Sequence, residues 1–223
     1  MTRDEIVSKL SSVSPDTENA IELSSMLIFE ELGWDIVYAE HEVEGDQELL
    51  GRTNHSQVLL FSILYSAIKE LNPLLPKVSL EMAMDEISRD RTTMDIAKAN
   101  KQVYKMIKDG VVTTFRDDDG IQQTERVKLI DWNNPENNQF TLVSQMWVHS
   151  DIYRKRPDLI GFVNGIPLLF MELKNSTENV KHAYDDNLRD YKDTIPHLFW
   201  YNGLVILSNG RDAKAGSITA EWE

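Results

Sequence analysis

The segment from Arg156 to Lys174 reads RPDLIGFVNGIPLLFMELK. Two apolar runs flank Asn164-Gly165, a dipeptide typical of a β-hairpin turn, and charged residues occur only at the open end. Strands this apolar belong in a sheet covered on both faces, where a charged side chain is costly unless it is paired or bound to a metal ion. The segment therefore predicts a buried hairpin that gathers Asp158, Glu172 and Lys174 at one end.

The register of this hairpin decides whether its charged residues meet. Glu172 and Lys174 are two residues apart, so a strand places their side chains on one face. An ordinary two-residue turn would pair Asp158 with Met171, on the face opposite Glu172. We therefore predict a three-residue loop of residues 163–165, with its glycine left-handed in a bulge.

The predicted loop also fixes the pairing of the two strands. It pairs Phe162 with Ile166. Asp158 then lies across from Phe170 and diagonal to Glu172, within reach of a shared metal ion.

Two close carboxylates beside a lysine have the chemistry needed to hydrolyse a phosphodiester. The acids can hold a divalent cation that acts as a Lewis acid and lowers the pKa of a bound water. Without a cation, two carboxylates about 4 Å apart repel by roughly 4 kcal/mol at an effective dielectric near 20. Lys174 would orient or deprotonate the water and stabilise developing negative charge. The alternative is structural: Glu172 and Lys174 form an ion pair at a strand end, and Asp158 merely begins a strand.

The composition indicates a folded protein without a membrane span. The chain has 223 residues, 41% of them hydrophobic, with five tryptophans, which is enough for one sizeable core. No apolar run approaches the roughly 18 residues of a membrane helix, and the N-terminus lacks a signal peptide's apolar core. The absence of cysteine excludes disulfides and thiolate metal sites and fits a cytoplasmic protein. Any metal must be held by carboxylates, which favours a hard ion such as Mg²⁺.

The net charge of −14 counts against a free-standing nucleic-acid binder. Such proteins usually carry a basic surface, because neutralising phosphates supplies most of the affinity. If this chain acts on DNA, a basic partner or a further part of the protein must hold the nucleic acid.

A first helix is predicted between Ser14 and Gly33. Ser14 would cap it, with proline in the first helical position and acids in the first turn. At about 3.6 residues per turn, Glu18 and Glu22 lie roughly 60° and 100° around from the buried stripe, at the edge of the buried face. The stripe consists of Ile21, Ile28 and Leu32.

The remaining pattern predicts an α/β fold with a central mixed β-sheet flanked by helices. We expect one domain over residues 1–223, with a helical insertion at about 55–110 packed on the core. The phosphate-binding loop pattern of nucleotide hydrolases is absent. In chain order, the predicted elements are a strand at 33–39, helices near 56–71, 78–90 and 93–109, strands at 111–116, 121–132 and 140–148, a helix near 180–192 and a strand at 203–207.

The charged residues of the hairpin match a known nuclease pattern. Pro157-Asp158 followed by Glu172-Leu173-Lys174 corresponds to the Pro-Asp…Glu-x-Lys motif of many restriction and recombination nucleases. More narrowly, the chain resembles the N-terminal domain of the restriction (R) subunit of type I restriction–modification enzymes. The residues that carry this closer resemblance lie at 17–34, 134–140, 156–174, 196–199 and 208–220.

The resemblance implies a restriction-endonuclease-like fold and specific roles at the site. Asp158 and Glu172 would bind Mg²⁺, and Lys174 would be catalytic. A glutamate of the first helix would complete the acidic cluster; both Glu18 and Glu22 qualify, and we favour Glu22.

The family also has a Gln-x-x-x-Tyr pair on the helix after the lysine. Here Asn187 and Tyr191 take these positions, and helical spacing puts both on one face. Asparagine keeps the amide but shortens its reach by one methylene, so the role of Asn187 is open. The alternative for Tyr191 is core packing with Tyr184 and Leu188.

Four basic residues are candidates for contact with the DNA backbone. The alternative is a solvated charge run. They are Arg154, Lys155, Arg156 and Arg189.

The family's whole subunit continues into an ATP-driven translocase on double-stranded DNA, and works with methyltransferase and specificity subunits. Because this chain contains no nucleotide-binding loop, we expect an isolated nuclease domain, either a fragment or a natural truncation, that binds no ATP and holds DNA weakly. Two rival functions remain: a non-catalytic docking module of the restriction complex, and a stand-alone RNA- or DNA-repair nuclease of the same superfamily.

Overall fold

The structure, a computed structural model, describes residues 1–45 and 49–222. Its fold is α/β and restriction-endonuclease-like, with a central mixed sheet flanked by helices. In chain order the elements are α1 (Arg3–Leu10), α2 (Glu18–Glu31), β1 (Asp35–Tyr38), α3 (Phe61–Leu71), α4 (Lys77–Ser88), α5 (Ile96–Asp109), β2 (Val111–Arg116), β3 (Gln122–Val127), a 3₁₀ turn (Pro135–Asn137), β4 (Phe140–Ser144), β5 (Val148–His149), β6 (Arg154–Lys155), β7 (Leu159–Val163), β8 (Ile166–Leu173), a π-helical turn (Ala183–Leu188), α6 (Arg189–Thr194), α7 (Pro196–Phe199), β9 (Leu204–Ser208) and β10 (Ala213–Gly216).

The central sheet has the strand order β1-β4-β7-β8-β9-β10 over the described residues. The pairs β1–β4 and β8–β9 are parallel, and the other neighbours are antiparallel. Every residue of β7 is buried, as expected for a strand in the middle of a sheet covered on both faces. The sheet confirms the predicted mixed α/β architecture.

The side chains of β7 and β8 alternate between two packed clusters, one on each face of the sheet. Leu159, Met171 and Leu173 pack with α1 and α2. Ile160 and Phe170 pack in the cluster to which α3, α4 and α5 contribute. The helical segment predicted at about 55–110 therefore packs against the sheet, although its first helix begins at residue 61 rather than 56.

The turn of the β7–β8 hairpin differs from the three-residue loop that we predicted at 163–165. Asn164 and Gly165 form a two-residue turn, and both have positive φ, 51° and 76°. The turn is favoured because the Asn164 amide is fully buried, donates to the Leu129 carbonyl (2.9 Å) and accepts from the Gln139 N–H (2.8 Å). A hydrogen-bonded asparagine tolerates this left-handed conformation well.

The predicted pair Phe162–Ile166 is also wrong, since Phe162 lies opposite Pro167. The register then shifts, and Gly161 lies opposite Leu169, so that Leu168 is an extra residue in β8. The structure therefore has one extra residue in the hairpin, as predicted, but it lies in strand β8 and not in the turn. Pro167 has no N–H and cannot donate a hydrogen bond to β7, so the β7–β8 pairing tolerates an irregularity next to it.

The helix predicted between Ser14 and Gly33 is α2, since the structure has an earlier helix, α1; α2 starts later than predicted and buries only part of the predicted stripe. Thr17, not Ser14, is the cap, and its hydroxyl accepts from the Ala20 N–H at 3.2 Å. Of the predicted buried stripe, Ile21 is buried, whereas Ile28 and Leu32 are 57% and 69% exposed. Glu22, which we placed at the edge of the buried face, lies within it. The buried residues of α2 are Ala20, Ile21, Glu22, Leu23 and Met26.

Two other predicted strands are shorter in the structure. The hairpin β2–β3 forms at the predicted turn, but β3 ends at Val127 rather than at residue 132. The predicted strand 140–148 is interrupted because Gln145 adopts a positive φ of 58° after β4. Within 1–45 and 49–222, no helix combines the length and apolar character needed to cross a bilayer.

Candidate functional site

A polar cavity opens at the end of the β7–β8 hairpin. It brings together every residue that the sequence analysis proposed as catalytic or metal-binding, from four separate parts of the chain. Those residues are Glu18, Glu22, Asp158, Glu172, Lys174, Asn187 and Tyr191, and Asn19, Tyr38, Glu40, Gln145 and Arg156 also line the cavity.

Asp158 and Glu172 lie side by side because of the shifted register. The last regular pair is Leu159–Met171, so one step further Asp158 is level with Glu172 and on the same face. Both carboxylates are buried, with 7% and 3% of the residue exposed. Asp158 is directly across from Glu172 rather than diagonal to it, which corrects the predicted pairing with Phe170. The prediction that Asp158 and Glu172 share one face of the sheet is nevertheless correct.

Each oxygen of this pair has a different environment. Oδ2 of Asp158 accepts the Leu173 N–H at 2.7 Å, which fixes the side chain. Oε1 of Glu172 lies 3.7 Å from Nζ of Lys174. Oε2 of Glu172 is buried and has no hydrogen-bond partner within the described residues. A buried carboxylate oxygen left unpartnered is costly, and such an atom indicates a ligand position.

The two glutamates of α2 occupy different depths. Glu22 is buried; it accepts hydrogen bonds from the Ser144 hydroxyl and from Nε2 of Gln145 (2.9 Å). The side chain of Glu18 is 45% exposed, and its carboxylate lies 4.0 Å from Nζ of Lys174. Glu22 therefore belongs to the buried cluster, and Glu18 to its rim.

Gln145 is a site residue that the sequence analysis missed. Its amide donates to Glu22 and lies 3.5 Å from Oδ1 of Asp158, so it links the two acids. Its backbone N–H donates to the Asp158 carbonyl at 2.9 Å. The polar pair Ser144-Gln145 at the end of an apolar strand could have been recognised in the sequence. The positive φ of Gln145, which directs its amide toward the acids, could not.

The buried acids have raised pKa values. Burial, followed by repulsion from Glu18 and Glu22, raises the pKa of Asp158 to about 7. Burial and then the charge of Asp158 raise the pKa of Glu172 well above its ordinary value. Burial also raises the pKa of Glu22. The cluster therefore resists full ionisation on its own, and a bound cation would favour the charged forms.

Lys174 is positioned by the end of β8. Its backbone N–H donates to the Ser208 carbonyl of β9 at 2.9 Å, which holds the strand end in the sheet. Its side chain is 13% exposed, with the ammonium between Glu172 and Glu18. The ammonium is the positive charge nearest to Glu172 among the described contacts.

Tyr191 and Asn187 line the cavity from the helix that follows. The Tyr191 ring packs edge-on against Phe170, with centroids 5.8 Å apart, while Tyr184 stacks on Trp222 instead. Burial, followed by the charge of Glu172, raises the pKa of Tyr191, and the neighbouring Asn187 side chain opposes this effect. Asn187 lies in the π-helical turn Ala183–Leu188, an irregularity often found at functional sites.

The candidate DNA-contacting residues are separated by the structure. Arg156 lines the cavity, with its guanidinium 3.1 Å from Glu40 and stacked over Trp147. Lys155 pairs with Asp190 at 2.6 Å, outside the cavity lining. Arg154 and Arg189 are exposed and are also absent from that lining.

Comparison with protein families gives a match over almost the whole chain. Residues 16–223 match the family described as the type I restriction enzyme R protein N terminus. This chain belongs to that family. The matched region contains all the cavity residues and leaves out only the first 15 residues, which include α1.

Individual members of the R protein N-terminus family are similar to this chain. The type I restriction enzyme HindI endonuclease subunit of Haemophilus influenzae is 35% identical over 213 residues, 92% of this chain and 20% of that protein. A protein of Methanocaldococcus jannaschii, named as a candidate endonuclease subunit of the type I restriction enzyme MjaIXP, is 32% identical over 192 residues, 82% of this chain and 18% of that protein. The chain spans about one fifth of the length of these relatives.

Proposed function

We propose that this chain is the endonuclease domain of a type I restriction enzyme R subunit and that it hydrolyses phosphodiesters of double-stranded DNA with Mg²⁺. The observation that carries the proposal is the unpartnered Oε2 of Glu172, buried beside Asp158, Glu22 and Lys174. A structural ion pair between Glu172 and Lys174 does not need two further buried acids, Asp158 and Glu22, in the same cavity. The relatives named as endonuclease subunits support the same conclusion.

The donor set fits a magnesium ion. Mg²⁺ prefers carboxylate oxygens and is usually held by one or two of them together with water and phosphate. Asp158 and Glu172 would hold it, with Glu22 close by, and Oε2 of Glu172 is free within the described residues to do so. When bound, the ion would neutralise phosphate charge and lower the pKa of a coordinated water.

The protein's own groups have distinct tasks in this proposal. Lys174 donates hydrogen bonds to the attacking water or to a phosphate oxygen, where negative charge develops. Gln145 positions Glu22 and Asp158 by bridging them. Arg156, at the cavity edge, contacts the DNA backbone near the scissile bond. Asn187 and Tyr191 take the places of the family's glutamine and tyrosine on the helical side of the cavity.

The acidic surface requires other parts of the enzyme to hold the DNA. With a net charge of −14, the chain binds duplex weakly. In this proposal ATP-driven translocation by the full-length subunit delivers DNA to the site, and the methyltransferase and specificity subunits complete the complex. The enzyme acts in the cytoplasm.

Lys174→Ala in the reconstituted restriction complex tests the proposal. We expect normal assembly and ATP hydrolysis, with DNA cleavage reduced by about 10²–10⁴-fold, the usual contribution of a positioned proton-transfer group. Lys105→Ala, an exposed lysine on α5, is the matched control and should cleave normally.

Two outcomes would replace the proposal. Unchanged cleavage by the Lys174→Ala complex would make the chain a docking module. Cleavage of DNA without ATP and without the other subunits would favour a stand-alone repair nuclease.

A further inference from the structure

A second group of ionisable side chains lies outside the acidic cavity. Glu44 follows β1, His55 precedes α3, and His149 is in β5. These three residues are far apart in sequence but offer ligand atoms that all lie within 4.8 Å of one another. None of them lines the cavity that contains Glu172.

The distances in this group match metal coordination better than direct hydrogen bonds. Nδ1 of His55 and Nδ1 of His149 lie 3.5 Å and 3.4 Å from the same oxygen, Oε1 of Glu44. Nitrogen–oxygen hydrogen bonds usually measure about 2.7–3.2 Å. Ligand atoms bound tetrahedrally to Zn²⁺ at about 2.0–2.1 Å lie about 3.3 Å from one another. Both nitrogen–oxygen distances are therefore close to those between neighbouring ligands of one ion.

His55 is buried without hydrogen-bond partners for its ring. Its side chain is only 10% exposed, and neither ring nitrogen has a hydrogen-bond partner in the described part of the chain. A histidine ring normally satisfies at least one nitrogen when it is buried. The His149 ring lies edge-on to it, with centroids 4.7 Å apart, and the two are tied by a backbone hydrogen bond of 3.0 Å from His149 N–H to the His55 carbonyl.

A buried ion pair supports His55 from the opposite side. Nε2 of His55 lies 3.8 Å from Oε2 of Glu42, whose carboxylate is held by the Arg52 guanidinium. Metal-bound histidines commonly direct their second nitrogen at a carboxylate, which fixes the ring and makes the ligand more basic. Arg52 also donates to the Trp147 carbonyl at 3.0 Å, so this support reaches the residue next to β5.

We propose that Glu44, His55 and His149 bind a divalent transition-metal cation of the Zn²⁺ type, in a site separate from the acidic cavity. Two imidazoles and one carboxylate suit Zn²⁺ and disfavour Mg²⁺, which prefers oxygen ligands. With three protein ligands, the remaining coordination position is open to water or to a further ligand.

The ion would fasten the segment after β1 to the β5–β6 strand pair. His149 is paired with Arg154 in that strand pair, and the chain continues from there to Arg156 and Asp158. The site thus has a positioning role for the chain segment that enters the acidic cavity. It does not depend on the proposed nuclease function, because the three ligands take no part in cleavage.

Metal content and cobalt spectroscopy test the site in the polypeptide as it is naturally produced, with whatever sequence adjoins these residues. We expect about one equivalent of Zn²⁺ per chain, or uptake of added Zn²⁺ that excess Mg²⁺ does not reverse. Co²⁺ in its place should give the visible absorption of a tetrahedral site. His149→Gln and Glu44→Gln should each weaken Zn²⁺ binding by at least about tenfold.

Controls separate this site from surface binding and from misfolding. Glu44 is 53% exposed in its side chain, so Glu44→Gln should fold normally, as judged by circular dichroism, if His149→Gln does not. His182→Gln removes an exposed histidine and should leave Zn²⁺ binding unchanged. Lys174→Ala should also bind Zn²⁺ normally, whatever happens to cleavage. Equal Zn²⁺ affinity in wild type, Glu44→Gln and His149→Gln would overturn the proposal.

Discussion

Two regions of this protein bury carboxylates, and they do so in opposite ways. Near β5, Glu42 is enclosed by Arg52, whose other donors reach the carbonyls of Gln57 and Trp147. At the end of the β7–β8 hairpin, the buried acids Asp158, Glu172 and Glu22 line one cavity with Lys174 and Arg156, and one carboxylate oxygen has no partner in the described residues.

The difference shows which buried charges hold the fold together. The Glu42 pair is complete, and removing either member leaves an unpaired charge. The hairpin cluster carries more negative than positive charge, so its members repel one another until a cation binds. One region should therefore lose stability when it is mutated, whereas the other should gain it.

The largest effect is expected at the complete pair. Arg52→Met leaves the Glu42 carboxylate buried without its partner and should lower the free energy of unfolding by about 3–5 kcal/mol. Urea unfolding followed by circular dichroism measures the change. Arg3→Met breaks an exposed pair with Glu30 and Glu31 and should leave the free energy of unfolding close to that of wild type. Equal losses in the two variants would remove the distinction between the regions.

The hairpin cluster should give a characteristic pH dependence without metal. The pKa of Asp158 is about 7 in the folded protein and lower when unfolded, so its destabilising effect is absent below about pH 4 and grows as the pH rises to 7. At about 1.4 kcal/mol per unit, this amounts to a loss of roughly 2–4 kcal/mol.

The difference between wild type and Asp158→Asn isolates the titration of Asp158 together with its coupling to Glu172, because acids outside the cluster titrate equally in both proteins. We expect Asp158→Asn to become progressively more stable than wild type between about pH 4 and 7, and saturating Mg²⁺ to narrow the gap by stabilising wild type alone. A constant difference across this range would contradict the assigned environment of Asp158.

Glu172→Gln should stabilise the metal-free protein by about 1–2 kcal/mol, increasingly so as the pH rises and the wild-type carboxylate ionises, because the amide has a similar volume and carries no charge. The same change should abolish the rise in melting temperature that Mg²⁺ causes in wild type. Glu136→Gln, at an exposed position, serves as the matched control and should keep the Mg²⁺ effect. A destabilised Glu172→Gln protein would mean that Glu172 acts as a structural ion pair with Lys174.

Gln145→Ala tests whether Gln145 positions Glu22 and Asp158 without contributing much to the free energy of unfolding. Loss of the amide releases Glu22 and Asp158 from each other, so we expect Mg²⁺ affinity or cleavage by the complete enzyme to fall by about 10-fold. The unfolding free energy should change by less than about 1 kcal/mol. Gln122→Ala, on the exposed part of β3, should alter neither quantity.

The smallest effects are expected among the basic residues. Arg156→Ala should reduce cleavage a few-fold and make it less sensitive to salt, because it removes a phosphate contact at the cavity. Arg189→Ala lies outside the cavity lining, and cleavage should stay within about twofold of wild type. Cleavage assays over a range of salt concentrations compare them, and an Arg189 effect as large as that of Arg156 would extend the DNA path beyond the cavity.

The placement of Asp158 and Glu172 at the end of a buried hairpin could be predicted because the sequence signals for it lie close together in the chain. The apolar strands, the Asn-Gly turn and the Glu-x-Lys spacing all lie within 19 consecutive residues. The exact turn could not be derived, because Asn164 is held by contacts with Leu129 and Gln139 from elsewhere in the chain.

The errors elsewhere have the same origin. The buried face of α2 was only partly predicted, because the polar Glu22 is buried with the core residues while the apolar Ile28 and Leu32 are exposed. Gln145 and the group of Glu44, His55 and His149 were missed because they depend on contacts between distant parts of the chain, which no short sequence window contains.

Because of the extra residue in β8, the proposed chemistry depends on the number of residues between the turn and Glu172. Side chains alternate along a strand, so one residue more or fewer moves the Glu172 carboxylate to the other face of the sheet. Leu168 is apolar and precedes Glu172 by four positions, yet it alone turns that carboxylate toward Asp158. Shortening the strand by this one leucine would leave every charge in the sequence and send the two acids to opposite sides of the sheet. Cleavage could thus be lost through a change of length, with no ionisable group altered.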